Sequence, residues 1–193
     1  MTTVQSVSHD SEPSPGDSSS QLVSFLREKN PAAGALLHTL YRESLLRFCR
    51  GYLGEREASE DAVQDICVRV LTTSDVPDLF RPWMYRIARN HCLNLLRARV
   101  QRKEGHILPA PSQVYDTMTG NLTRLVRDEA GQRLAELFLR LSDEQREAIR
   151  LRYVEDLSRG EIAAVLEVSE SVVKSRIFEG LKKLRELASR SES

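Results

Sequence analysis

The chain has 193 residues, of which 40% are apolar, and its 28 Lys and Arg residues balance its 28 Asp and Glu residues. This is enough apolar material for one compact domain or two small ones. No apolar run reaches the roughly 18 residues of a membrane-spanning helix, and no basic and apolar secretory signal opens the chain. The sequence therefore predicts a cytoplasmic protein without membrane insertion.

Residues 1–20 contain seven serines and two prolines and few apolar side chains. Such a segment cannot bury enough surface to offset its chain entropy, so we expect a disordered tail. From Leu22 onward the apolar residues recur with helical period, and no alternating run indicates a strand. Pro31 is predicted to open a helix that runs to about Leu53. The fold class that follows is all-α.

A second predicted helix follows Ser59 and has an acidic outer side. Residues 55–65 hold five acids against one arginine. Acids near a helix start interact favourably with its dipole, but Gln64 and Asp65 lie further in, on the same arc as Asp61. This side is either an ordinary solvated face or a surface that docks on another protein.

A break over residues 72–77 precedes FRPWMYRIARNHCLNLLRAR, residues 80–99, which has five arginines and no acid. Taken as one helix after Pro82, it buries a stripe that runs from Met84 to Leu96. The opposite arc carries Arg86, Asn90, Asn94 and Arg97, with Trp83 close by. Arginine, asparagine and an aromatic ring suit single-stranded nucleic acid, whereas a merely solvated face usually mixes both charge signs. Trp83 either packs in the core or contacts DNA.

Residues 101–121 turn polar, with two glycines and two prolines, which predicts a flexible linker between two helical domains. Helical period resumes at Leu122. Two later helices are announced by capping boxes, Ser142 with Gln145 and Ser158 with Glu161. The boundaries are then a tail over 1–20, a first domain over 21–100, the linker over 101–121 and a second domain over 122–190.

The second domain ends in a helix-turn-helix pattern over residues 157–186. A short helix, a break at 167–169 and a basic helix from Glu170 to about Leu187 keep Val173 and Ile177 inside. The face turned outward suits duplex DNA, with Arg176 reaching a guanine edge and Val172 a thymine methyl. That outward set is Ser171, Val172, Ser175, Arg176, Glu179, Lys182 and Lys183, the two lysines reaching phosphates. The alternative is a solvated helix of a small bundle.

Three motifs in series, EDAVQD, WMYRIARN and EIAAVLEVSESVVKSRI, resemble those of a bacterial RNA polymerase sigma factor of the extracytoplasmic-function type. The resemblance spans residues 22–187. It implies that the first domain is sigma region 2, which binds core polymerase and the promoter −10 element. It implies that the second is sigma region 4, which binds the −35 element. Glu167 stands where relatives often have glycine.

The resemblance also implies residue roles. Asp61, Gln64 and Asp65 would dock on the clamp helices of the largest catalytic polymerase subunit. The loop over 72–80 together with Asn90 would capture a base flipped from the −10 element, at a cost of a few kcal/mol that phosphate contacts offset. The separated strand would be held by Arg86, Arg89 and Arg97. Lys174 would join Ser171, Ser175, Arg176 and Glu179 at the −35 element, although the helical wheel puts it beside the buried stripe.

The sequence therefore predicts a sigma factor that recruits core polymerase and opens promoters, with an anti-sigma factor as a further partner. No nucleophile elbow, phosphate loop or metal signature indicates an enzyme, a metal or a cofactor. Three widely spaced cysteines, Cys49, Cys67 and Cys92, favour small buried side chains over a disulfide or zinc site. The main alternative is a free-standing helix-turn-helix regulator that binds duplex DNA alone. A helical scaffold without DNA contacts is the third possibility.

Overall fold

The computed structural model describes residues 15–104 and 137–191, and within them the regular elements are helices. They are α1 (Pro15–Arg27), α2 (Ala33–Leu53), α3 (Arg56–Thr72), α4 (Phe80–Glu104), α5 (Asp143–Tyr153), α6 (Arg159–Leu166) and α7 (Glu170–Ser191), and residues 137–139 are helical as well. The predicted all-α class, with a helix-turn-helix at the C-terminal end, is confirmed. Residues 105–121 of the predicted linker and 122–136 of the predicted second domain lie outside the described residues. Residues 101–104 continue α4 instead of starting the linker.

The predicted disordered tail extends too far, because residues 15–20 belong to α1. Pro15 occupies the first helical position, where its missing N–H is not needed. Ser18 is buried, and the Ser19 hydroxyl lies 3.2 Å from that of Tyr41 on α2. Composition alone missed this because the serines are held by a neighbouring helix, while Leu22 supplies the apolar anchor further along.

Helices α1 to α4 share one core. Its largest fully buried side chains include Phe48, Tyr52, Ile66, Met84 and Tyr85, each almost completely inaccessible. A fully buried side chain of this size contributes roughly 1.5–3 kcal/mol of hydrophobic free energy. The core fixes the rotation of α3 and α4, and with it the side chains that each helix turns outward.

Helix α3 starts earlier than predicted, at Arg56 and not after Ser59. Ser59 is fully buried inside the helix, and its hydroxyl donates to the Glu55 carbonyl at 2.6 Å. A serine can satisfy itself in this way in the first turns of a helix, so its presence does not mark a cap. Both predicted capping boxes of the C-terminal domain, at Ser142 and Ser158, are present with reciprocal hydrogen bonds.

The two cysteines of the first-domain core, Cys49 and Cys92, are buried, and Cys67 is half-buried. All three are free thiols. A hydrogen bond with Cys92, together with burial, raises the pKa of Cys49, and burial raises the pKa of Cys67. These two groups therefore behave as neutral, compact core side chains.

The turn of the helix-turn-helix places Glu167 in the left-handed region, at φ 57° and ψ 44°. The amide of Glu167 donates to the Ala163 carbonyl and closes α6. Glycine is the usual residue at this position because a Cβ makes the conformation unfavourable by roughly 1–2 kcal/mol. The turn keeps its tight geometry despite the glutamate, and the strain is local.

Glu167→Gly is expected to raise the free energy of unfolding by about 0.5 kcal/mol. The variant gains stability because the left-handed strain is relieved. It loses about 0.4–1 kcal/mol because an unfolded glycine has more conformational freedom, and a little more because the weak exposed ion pair with Arg86 is lost. The gain is expected to exceed the sum of these losses. Thermal unfolding measures the change. Glu179→Gly, in the middle of α7, is the matched control and should lose about 1 kcal/mol. A loss at both positions would contradict the strain assigned to Glu167.

The N-terminal and C-terminal helices pack on each other, with α6 lying against α4. Leu151, Leu157 and Ile162 are buried in the same apolar cluster as Phe48 and Tyr85. The two domains therefore form a continuous core in this structure.

Candidate nucleic-acid interface

The acidic face of α3 is open to solvent. Asp61, Gln64 and Asp65 are all exposed, as predicted, while Ala62, Val63 and Ile66 turn into the core. Val68 continues this face one turn later and is 60% exposed. The arrangement gives a carboxylate pair with an apolar side chain beside it, a combination suited to contact with a basic helical surface.

The predicted strand-binding residues of α4 fall into two groups. Asn90 and Arg97 are exposed, and Arg97 donates to the side-chain oxygen of Asn94 at 2.9 Å. Arg86 and Arg89 instead face the C-terminal domain. Two N–H groups of Arg89 donate to the two carboxylate oxygens of Glu147 on α5, at 2.7 and 2.9 Å. Such a bidentate pair is the geometry in which arginine also holds a phosphate.

Trp83 packs in the core, which is one of the two alternatives that the sequence left open, and its contact with DNA stays a prediction. Its ring packs against the core, with its centre 5.7 Å from that of Phe80. It also lines a cleft of about 300 Å³ between the α3–α4 loop and the start of α4. The lining residues are Asp75, Pro77, Leu79, Pro82, Trp83, Arg86 and Ala164. Asn90, which the sequence grouped with this loop, does not line the cleft.

The α3–α4 loop beside this cleft is fixed by α1. The Arg27 guanidinium donates to the Val76 carbonyl at 2.8 and 3.1 Å and to the Asp78 carboxylate at 2.6 Å. Lys29 donates to the carbonyl of Thr73. A loop that is ordered in advance loses less conformational entropy when it binds a ligand, so α1 helps to shape the cleft.

The predicted face of α7 is turned to solvent. Its residues Ser171, Val172, Lys174, Ser175, Glu179, Lys182 and Lys183 are exposed, and Arg176 is half-buried. Lys174, which the helical wheel placed beside the buried stripe, is exposed, and its contact with the −35 element stays a prediction. Its neighbour Val173 takes the buried position and directs Lys174 outward. Sequence reasoning missed Phe178, which is 64% exposed on this helix.

A charged contact that the sequence did not predict joins the two domains. The Arg150 guanidinium carbon lies 4.9 Å and 4.3 Å from the ring centres of Phe48 and Tyr52, and its Nη2 donates to the Phe48 carbonyl at 2.5 Å. The Tyr52 hydroxyl donates to Glu147 at 2.5 Å. Burial and the nearby Glu147 carboxylate hold the pKa of Tyr52 well above its usual value, so the phenol remains a donor.

Glu155 is the most buried acid of this contact, with 2% of its surface exposed. Arg47 and Tyr85 of the first domain each donate to its carboxylate at 3.4 Å. Burial nevertheless raises its pKa, and the attraction of Arg150 and Arg47 only partly opposes this. Arg81 donates to the Glu155 carbonyl at 2.8 Å. The hydrogen bonds from Arg47 and Tyr85 therefore hold the carboxylate in place, although removing it from water costs free energy.

Gly51 could have signalled this contact in the sequence, because an isolated glycine inside a helical pattern usually has a packing reason. A Cβ on Gly51 would lie 2.5 Å from the Arg150 guanidinium carbon. Gly180 has the same role inside the C-terminal domain, where a Cβ would lie 2.6 Å from Ile149. Nothing local marks Glu147, Arg150 or Glu155, which have the composition of a solvated helix face.

Residues 15–104 and 137–191 offer neither a cluster of metal ligands nor a membrane-spanning helix. No group of three or more His, Cys, Asp and Glu side chains there lies close enough to hold a metal ion. None of the helices in these ranges is both long and apolar enough to cross a membrane.

Comparison with known families identifies both domains. The family model described as Sigma-70 region 2 matches residues 37–102, which cover α2 to α4 apart from their ends. The model described as Sigma-70, region 4 matches residues 131–184, which include α5, α6 and most of α7. The two matches follow the boundaries of the two helical units.

Curated relatives extend the match over most of the chain. It is 30% identical over 165 residues to the ECF RNA polymerase sigma factor SigL of Mycobacterium tuberculosis, covering 80% of this chain and 89% of the relative. It is 29% identical over 158 residues to the ECF RNA polymerase sigma factor SigW of Bacillus subtilis, covering 76% and 83%.

Two solved structures share the fold. CnrH, in complex with the cytosolic domain of CnrY, superimposes with a TM-score of 0.63 at 24% identity, over 90% of this chain and 99% of that one. The sigma factor RpoE of Bartonella quintana, in complex with the anti-sigma factor NepR, gives a TM-score of 0.54 at 24% identity, over 79% and 94%.

Proposed function

The chain belongs to the sigma-70 family as an extracytoplasmic-function RNA polymerase sigma factor, and we propose which of its surfaces makes each contact in promoter recognition. A sigma factor binds core RNA polymerase and directs it to specific promoters. The observation that carries the proposal is that the region 2 and region 4 matches coincide with two helical units, each with a suitable exposed face. A free-standing regulator of duplex DNA is not favoured, because such a protein does not need the polymerase-binding region 2.

The α3 face is the polymerase contact in this proposal. Asp61, Gln64 and Asp65 dock on the clamp helices of the largest catalytic subunit, and the exposed Val68 adds apolar area at the edge. Opposite charges at such a surface accelerate encounter and fix the register of the two partners. The geometry that supports this assignment is the rigid packing of α3 through Ala62 and Ile66.

The α4 face and the adjacent cleft bind the separated −10 strand. Arg86, Arg89 and Arg97 neutralise phosphates, and Asn90 offers a donor and an acceptor to a base edge. The cleft beside Trp83, about 300 Å³ in volume, receives the flipped base against the indole ring. Trp83 thus serves both as a packing anchor and as a wall of the base pocket.

The outer face of α7 reads the −35 element in the major groove. Arg176 and Val172 contact base edges, and Lys182 and Lys183 contact phosphates, together with Ser171, Lys174, Ser175 and Glu179. The protein carries no reaction of its own in this proposal: the polymerase supplies the chemistry, and the sigma factor supplies position and strand separation. The relatives solved with CnrY and NepR support an anti-sigma factor as a further partner.

Reconstituted transcription tests the function. Purified core polymerase with this chain should produce new start sites on genomic DNA, whereas core polymerase alone should not. Tight binding of the chain alone to duplex DNA, with no new start sites in the reconstituted reaction, would instead establish a free-standing regulator.

Arg176→Ala is expected to cost about 1–3 kcal/mol at one base pair of the −35 element, as for the loss of a bidentate base contact. Competition binding of holoenzyme to promoters with each −35 base changed in turn measures this. Lys182→Ala is the matched control and should weaken all sequences equally while lowering the salt dependence. A uniform loss with Arg176→Ala would reassign this arginine to a phosphate.

A further inference from the structure

We propose that the contact between the two domains is an autoinhibited state of the free chain, in which the C-terminal domain engages Arg86 and Arg89 of the α4 surface that binds the separated −10 strand and leaves Asn90 and Arg97 exposed. The inference rests on the proposed function, since it takes this surface to be the strand-binding one. The inference is argued from the contacts that α5 and α6 make with α2 and α4.

The C-terminal domain engages the same arginines that would hold DNA. Both Glu147 oxygens accept from Arg89, and Glu167 lies 3.4 Å from Arg86. A carboxylate on the guanidinium fork takes the place of a phosphate group, because each presents two anionic oxygens to the two N–H groups of the arginine. Arg89 cannot make the same bidentate bonds to Glu147 and to a phosphate, so the two ligands compete.

The C-terminal domain also contributes one wall of the base cleft. Ala164 of α6 is one of its lining residues, although every other lining residue belongs to the first domain. Arg81, at the start of α4, donates to the Glu155 carbonyl and lies 3.2 Å from the Glu161 carboxylate. A base bound in this cleft therefore lies against α6, and Arg81 at the start of α4 is already paired with an acid of that helix.

Arg150 holds the C-terminal domain against α2, where its guanidinium occupies the space beside Gly51. Its guanidinium lies over the rings of Phe48 and Tyr52 and reaches the backbone of α2. A Cβ at residue 51 would lie 2.5 Å from the guanidinium carbon, so a side chain there would displace the guanidinium from this position. Cation–π contacts are stronger when desolvated, and Arg150 is 6% exposed. The contact therefore depends on the fit of the Arg150 guanidinium to the surface of α2.

The same contact is built to be reversible. Arg150 Nη1 and Glu155 Oε1 are buried without a hydrogen-bond partner among the described residues. Buried charges with incomplete pairing are costly to desolvate, so much of the gain from burying Leu157 and Ile162 is offset. A small differential affinity of DNA for the open form can then shift the equilibrium.

The closed chain still presents its other two surfaces. Asp61, Gln64 and Asp65 on α3 and most of the α7 face remain exposed. Core polymerase can therefore dock on α3 before the domains separate. The inhibition is directed at strand binding, not at recruitment.

Two glycines of α2 provide the test. Gly51→Ala places a Cβ 2.5 Å from Arg150, while Gly34→Ala places one 3.8 Å from Leu71, an ordinary contact. Each variant of the full chain, together with Arg150→Ala, is compared with the wild type by small-angle scattering. Each is then titrated into a fluorescein-labelled non-template strand that spans the −10 region of a promoter mapped by reconstituted transcription.

We expect the wild type and Gly34→Ala to scatter as compact particles. Gly51→Ala and Arg150→Ala should be extended and should bind the strand roughly fivefold tighter, as for a chain of which about one molecule in five is open before the change. A wild type that is already extended, compact variants, or extended variants of unchanged affinity would each overturn the proposal. Because start sites on genomic DNA are scored separately with the wild type, failure of the sigma function itself would be seen as their absence.

Discussion

Asp61→Lys together with Asp65→Lys is expected to weaken binding of the chain to core RNA polymerase by about 30- to 1,000-fold, which is about 2–4 kcal/mol. Both carboxylates are exposed on the outer face of α3, and Asp65 Oδ2 lies 3.4 Å from Nε2 of His91 on α4, a surface pair that contributes little to stability. The change replaces two attractive charges with two repulsive ones at the same place. The loss should therefore fall on association with polymerase and should leave the fold intact.

Titration of labelled core polymerase measures this affinity, and circular dichroism checks that the helices persist. Glu28→Lys with Glu186→Lys makes the same change in net charge on exposed residues outside α3 and is the matched control. Its affinity should stay within about twofold of the wild type, because surface charges far from a contact are screened by salt. Equal losses in both double variants would show a general charge effect and would contradict the docking assignment.

Asn90→Asp together with Arg97→Glu is expected to reduce open-complex formation by a similar factor, about 30- to 1,000-fold. Both residues are exposed on α4, and neither lies in the contact between the domains. The substitutions place negative charge against the phosphates of the separated strand. Binding to core polymerase should not change, since α3 is untouched.

Permanganate reactivity of the −10 thymines measures strand opening in the presence of the variant holoenzyme. Arg42→Glu reverses a charge on α2, outside this face, and should open promoters as well as the wild type does. If the α4 double variant still opened promoters normally, the strand would have to follow a different surface of the first domain.

Features coded by neighbouring residues were predicted well from the sequence. The capping boxes at Ser142 and Ser158 involve residues three apart, and both are present in the structure. The exposed acids of α3 followed from helical period alone. The start of α3 was predicted wrongly from Ser59, because a serine side chain can either cap a helix or bond to a carbonyl within it. Only the burial of that position in the tertiary structure decides between the two.

The contact between the domains could not be predicted, since it joins residues about 60 to 110 positions apart, such as Arg89 with Glu147 and Arg47 with Glu155. Charged residues on a helix ordinarily predict exposure, whereas Glu147, Arg150 and Glu155 are buried through one another and through partners on α2 and α4. The assignments of individual residues to polymerase and DNA stay predictions, as the exposed faces are compatible with them without testing them.

The contact of Arg150 with Phe48 and Tyr52 joins two domains of one polypeptide. An equilibrium between two parts of one chain has an effective concentration set by the tether and not by the cell. Under the proposed autoinhibition, the share of molecules available for promoter opening is the same whether the cell holds few copies or many. A separate inhibitor, by contrast, can be exhausted when its target is overproduced, so the built-in contact limits stray initiation in circumstances where stoichiometric control fails.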